Sequence, residues 1–156
     1  ALIAALDAME LEDAMVANFY GDIAAQITAA DPKDESGFAK KAASKKRFAE
    51  FEEKLQEFGQ KQDHKGALEL VDKTIKEGAL LKDDTQQAMM IRAVILLQEK
   101  KFDEALKAAD EAKAFQPEGE LADQIDGFRK RIESSKAKAA GGAAAGGDDE
   151  VDEDEG

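Results

Sequence analysis

The chain has 156 residues, 43% of them hydrophobic and 37% charged, with a formal net charge of −13; this is enough apolar content for one modest core and too little length for a second full domain. Such an excess of carboxylates opposes general affinity for nucleic acid or an anionic membrane, since both need a basic footprint. With no cysteine, disulfides, thiolate metal sites and thiol catalysis are excluded.

Ala, Glu, Lys, Leu and Asp dominate and aromatics reach only 6%, a composition that predicts an all-α protein with a strongly solvated surface. No apolar run approaches the roughly 18 residues of a membrane span. The N-terminus carries neither a basic leader nor an initiating Met, so the chain reads as a fragment or processed product that keeps its own C-terminus. The compartment stays open between bacterial periplasmic or secreted and cytoplasmic.

Residues 1–30 place Leu2, Leu6 and Met9, then Phe19, Ile23 and Ile27, at helical spacing, which predicts one long helix or two nearly collinear ones. Asp31-Pro32 ends it, because the residue before Pro is pushed out of the α region, and Asp34, Ser36 and Gly37 supply turn and capping chemistry. From about Gly37 to Gln60 a second long helix carries the stripe Phe48, Phe51, Leu55 and Phe58. Its first half is basic (Lys40, Lys41, Lys45, Lys46, Arg47) and its second acidic (Glu50, Glu52, Glu53, Glu57), which reads as a solvated face with i, i+4 pairing ahead of an anion site.

Asp63 is placed to cap a helix bearing Ala67, Leu68, Val71 and Ile75, with Gly78 to close it. His64, the only histidine, has no companion ligand at metal spacing and reads as a surface residue near a helix start. The most apolar stretch, Gln87 to Leu97, follows on a helix expected from about Thr85 to Glu99 and capped by Asp83 or Asp84. Its apolar side chains cover almost the whole circumference, which marks the helix as buried on more than one side and as the centre of the fold. Phe102 to Phe115 is lined by Phe102, Ala105, Leu106, Ala109, Ala112 and Phe115, whose small members predict close helix–helix approach. After Pro117 a last helix, to about Ser134, repeats Leu121, Ile125, Phe128 and Ile132 on one face.

Beyond Ser135 the composition turns to Lys, Ala and Gly and then to the acidic run Asp148–Glu155. That run holds seven negatives, so residues 1–147 carry −6 of the −13. A segment with so little to bury is expected to form a flexible linker and a solvated tail. Loose binding of divalent cations there would be weak and unselective; solubility, or competition with an acidic partner for the Lys40–Arg47 face, is the expected role.

Met89, Ala93 and Leu96, then Phe102, Ala105, Ala109, Ala112 and Pro117, together resemble one tetratricopeptide repeat, most strongly in Lys101-Phe102-Asp103-Glu104-Ala105-Leu106. Aligning Ala67 with Ala105 sets Phe51, Leu55 and Phe58 opposite Met89, Ala93 and Leu96, a second copy 38 residues earlier. Ala29-Ala30-Asp31-Pro32 resembles the close of a third, incomplete copy. Arg92, Leu55 and Thr74 depart from the family pattern. The resemblance implies antiparallel helix pairs in a right-handed superhelix of about five to six helices with a capping C-terminal helix. On this reading residues 1–135 form the repeat domain (1–60 two long helices, 48–117 the paired helices, 118–134 the cap) and 136–156 the linker and tail. Two long helices followed by such a pair also look like the helical extensions of some bacterial thioredoxin-like secreted proteins.

The resemblance implies a non-enzymatic module that binds a peptide or partner helix in a groove lined by the first helix of each pair. The candidate groove residues are Met90, Arg92, Val94 and Leu97 with Glu52 and Gln56, although Met89, Met90, Val94 and Leu97 read first as plain core, since the surrounding helices must pack against something. Without the basic residues of a carboxylate clamp, this mixed apolar and acidic groove fits an amphipathic helix with basic flanks. Arg92, if buried, needs a carboxylate partner or must snorkel outward. No catalytic set, phosphate loop, metal site or cofactor motif is expected. The alternative is a structural accessory domain of a larger protein with no ligand of its own; an acidic chaperone-like or cation-buffering role comes third.

Overall fold

The structure, a computed structural model, describes residues 25–142, and among them it is all-α with no strand. Residues 25–30 are helical, with Ile27 fully buried. Five further helices follow: α1 (Phe38–Gln60), α2 (His64–Glu77), α3 (Lys82–Gln98), α4 (Phe102–Phe115) and α5 (Ala122–Gly142). The remainder of the expected N-terminal helices and the acidic run lie outside the described residues.

The turn before α1 is organised by two carboxylates. Asp31 accepts hydrogen bonds from the Glu35 and Ser36 N–H groups and from the Ser36 hydroxyl. Asp34, itself at φ 51°, accepts from the N–H groups of Ala39 and Lys40 at 2.9 and 3.1 Å. Gly37, the N-cap residue, has no side chain, so Asp34 satisfies the orphan donors of the first turn from three residues upstream.

Connections of three residues join α1 to α2 and α3 to α4, which forces each pair to run antiparallel. The two reversals have the same chemistry. Gln62 and Lys100 both adopt the left-handed region, at φ 54° and 60°. The Asp63 N–H donates to the Phe58 carbonyl and the Gln62 N–H to that of Gly59; Lys101 donates to Leu96 and Lys100 to Leu97 in the same way. Each is a Schellman closure, and the paired residue numbers differ by 38. Each closure opens directly into a helix of 14 residues, α2 or α4.

Helices pack chiefly on their sequence neighbours, and α3 also meets α1. One face of α3 sends Ala88 and Ile95, with half-buried Ile91, against Phe48 and Phe51 of α1 and Ala67 and Val71 of α2. The other sends Ala93 and Leu96 against Ala105, Ala108, Ala109 and Ala112 of α4 and Ile125 and Ile132 of α5. Four alanines in a row of turns let α4 approach both neighbours closely.

Two boundaries differ from expectation. The N-cap of α3 is Leu81, not Asp83 or Asp84; both aspartates sit in the first turn, and Asp84 is only 1% exposed. Its carboxylate turns inward to another helix instead of capping its own. The last helix starts at Ala122, later than expected, because residues 116–121 fold back as a turn around Gln86. The fully buried Gln86 amide donates from Nε2 to the carbonyls of Ala112 and Gln116, both at 2.9 Å, closing the C-terminus of α4. α5 continues to Gly142 through residues expected to be linker; the Ala-rich sequence propagates it, and Lys136 pairs with Asp103 of α4.

A non-glycine residue held at positive φ is strained, and the matched closures localise that strain. Gln62→Gly and Lys100→Gly are each expected to raise stability by about 0.5–1 kcal/mol in urea unfolding; a loss at either site would show that the side chain carries an interaction outweighing its backbone strain. The Ser36 hydroxyl, followed by the Ser36 and Glu35 N–H groups, holds the Asp31 carboxyl below its ordinary value of 3.8. A depressed carboxyl contributes stability above its unfolded pKa and loses it as pH falls through the folded one. The turn is therefore expected to loosen as pH falls below that ordinary value of 3.8 and through the lower folded-state midpoint. In an NMR titration of the Asp31 carboxyl, Ser36→Ala should move the midpoint upward.

Candidate protein-interaction cleft

The crossing of α1 and α3 leaves a cleft of about 790 Å³ closed at one end by the start of α2. α1 supplies Glu52, Leu55, Gln56 and Gly59, and α3 supplies Ile91, Val94, Ile95 and Gln98, each set at the three- and four-residue spacing that keeps side chains on one helix face. The floor is apolar, formed by Leu55, Phe58, Ala67, Ile91 and Ile95, and the rim is polar. Val94 stands at the mouth with 36% of its surface exposed. The lining contains two carboxylates, Glu52 and Asp63, with His64 and no Lys or Arg, so its potential is negative.

The closed end depends on Gly66. A Cβ there would come within 2.5 Å of the Phe58 ring, so glycine lets the first turn of α2 lie against that ring. Asp63 caps the turn by accepting from the Gly66 N–H at 2.9 Å. One pair of residues thus fixes both the wall and the acidic corner of the cleft.

The other end of the crossing is tied by buried polar groups. The Ser44 hydroxyl and the Lys45 ammonium of α1 both donate to the Asp84 carboxylate of α3. Ser44 Oγ in turn accepts the Leu81 N–H at 2.8 Å, satisfying a donor just before α3 begins. Lys45, expected on a solvated face, has a side chain only 14% exposed. It serves the helix crossing and not i, i+4 pairing.

Of the residues singled out from sequence, Glu52, Gln56 and Val94 meet at this cleft. Met90 and Leu97 are half-buried against the alanine-lined cluster instead. Arg92 lies on the far side of α3, where Nε is 3.3 Å from Asp72 Oδ1 and Nη1 is 3.4 Å from Glu111 Oε2, bridging α2 to α4. Helical geometry accounts for the division. At about 100° per residue, Val94 sits on a ridge with Met90 and Leu97 to one side and Ile91, Ile95 and Gln98 to the other, while Arg92 is almost diametrically opposite. Ile95, Gln98 and His64 were not singled out as groove residues, although stepping by three and four from Ile91 would have found the two on α3.

Among the described residues, no group of three or more His, Cys, Asp or Glu side chains converges as a metal site, and no helix is long and apolar enough to cross a membrane. Compared with known protein families, with characterised proteins and with solved structures, the chain finds no match in any of the three.

Removing the buried acceptor should strand the Ser44 hydroxyl and the Lys45 ammonium at the crossing. Asp84→Ala is expected to cost about 1.5–3 kcal/mol in urea unfolding. An unchanged midpoint would mean that the crossing holds without this carboxylate.

Proposed function

We propose that the chain is a protein-interaction module whose α1/α3 cleft receives an amphipathic helix with basic flanks. The observation that carries this reading is the cleft itself: an apolar floor, an exposed Val94, and a rim whose charged residues are carboxylates. Apolar anchors at i, i+3 or i+4 and i+7 of the partner would fill the floor, and Lys or Arg at its ends would face Glu52 and Asp63. Burial supplies most of the affinity, while charge tunes the encounter rate and selectivity.

The finer architectural reading belongs to the same proposal: α1/α2 and α3/α4 as two tetratricopeptide-like pairs, α5 as the cap. Support comes from the matched Schellman closures, the equal lengths of α2 and α4, and a cleft lined by the first helix of each pair. In such an arrangement the first helices present the binding surface and the second helices the outer one.

The test is selection of helical peptides from a display library against the full chain, followed by affinity measurement. Enriched sequences should combine apolar residues at helical spacing with Lys or Arg flanks. Val94→Asp, at an exposed position, should weaken them at least tenfold, about 1.4 kcal/mol, without changing the unfolding midpoint. Glu52→Lys should slow association and reduce its salt dependence. Enrichment of acidic peptides, or binding indifferent to Val94→Asp, would overturn the reading.

A further inference from the structure

A second cleft opens on the opposite flank of α1, between it and α2, with a volume of about 470 Å³. Its charge is reversed. Lys46, Arg47 and Lys54 of α1 and Lys73 of α2 line it, against Glu50 and Glu77, over the apolar side chains of Phe51 and Leu70. Arg47 is 3.4 Å from Glu77, and both are half-exposed. Lys46, Lys54 and Lys73 form no ion pair with any described residue. Four cations against two carboxylates make a local excess of positive charge in a chain whose net charge is −13.

Only part of the basic run in α1 contributes. Lys45 is turned inward to Asp84, whereas Lys46 and Arg47 join Lys54 and Lys73, residues from other parts of the sequence. The fold therefore assembles a positive cleft that the run by itself does not describe.

We propose that this cleft is the docking site of the chain's own acidic run, residues 148–155. Charge complementarity selects it: seven carboxylates stand within eight positions, separated from Gly142 by the uncharged Ala143-Ala144-Ala145-Gly146-Gly147. Fully extended, residues beyond Gly142 reach about 20 Å to the first acid and about 45 Å to the last. A domain of this size is roughly 35 Å across, a span within the extended reach of the distal acids of the run and beyond that of the first ones. Tethering also raises the local concentration of the acidic run to the order of millimolar, which compensates for the weakness of exposed ion pairs. The tail occupies the positive cleft and leaves the negative α1/α3 cleft open, so an acidic competitor has to displace it while a basic helix does not.

The absence of cysteine permits a single nitroxide label at Val151→Cys in the otherwise full chain. Paramagnetic broadening should then concentrate on the amides of residues 43–54 and 70–77 at low salt. It should disappear at about 0.5 M salt, where the screening length falls to about 4 Å. It should also disappear in the exposed double variant Lys46→Glu/Lys73→Glu, and in Asp152→Asn/Glu153→Gln/Asp154→Asn, which leaves the helical domain untouched. Broadening that is absent, evenly spread, or indifferent to both variants would overturn the proposal. So would broadening seen only between chains, in a mixture of spin-labelled and isotope-labelled molecules, which would make the occupant the tail of a second copy.

Discussion

A carboxylate buried to 1% exposure loses its water and must find donors elsewhere in the chain, and at Asp84 those donors are Ser44 and Lys45 of α1. The requirement links the two helices that form the α1/α3 cleft. Unlike α1/α2 or α3/α4, these helices are not held together by a short turn; their approach depends on side chains. Apolar contact through Phe51, Ile91 and Ile95 supplies burial without direction, while the Ser44–Asp84–Lys45 cluster and the Leu81 N–H supply a register. Gln86 does the same work at the far side of α3, where its amide closes α4.

α1 separates two recesses of opposite sign. Glu52, Leu55, Gln56 and Gly59 face the α3 side with one carboxylate, one amide and no cation; Ala43, Lys46, Arg47, Glu50 and Lys54 face the α2 side with three cations and one carboxylate. The helix makes this possible because positions two apart lie on nearly opposite faces, so one linear sequence can present two unrelated surfaces. The two recesses therefore differ in sign as well as in position, one lined by carboxylates and the other mostly by cations.

Much of the local structure was legible in the residues. Asp63 and Gly78 bound α2 as their chemistry requires, and the two-sided burial of α3 follows from an apolar circumference. The 38-residue offset read from Ala67 and Ala105 reappears in the backbone, in the positive φ of Gln62 and Lys100. Neither residue type announces a left-handed conformation, so those closures were visible only through the hydrogen bonds around them. The end of the last helix was placed too early because Lys-Ala-Lys-Ala-Ala has nothing to bury, yet helix propensity and the Lys136–Asp103 pair carry it to Gly142.

The candidate site divides along the same line. Sequence periodicity by itself determined an all-α chain and which side chains share a helix face, as Glu52 and Gln56 do on α1, since local spacing decides that. Tertiary structure decided which face meets which neighbour. It turned Met90 and Leu97 toward the alanine-lined cluster, drew Arg92 between Asp72 and Glu111, and buried Lys45 and Asp84 together. The physical reason is that the direction a helix face points, and the partner that neutralises a charge, depend on residues distant in sequence; no periodicity within one helix encodes them.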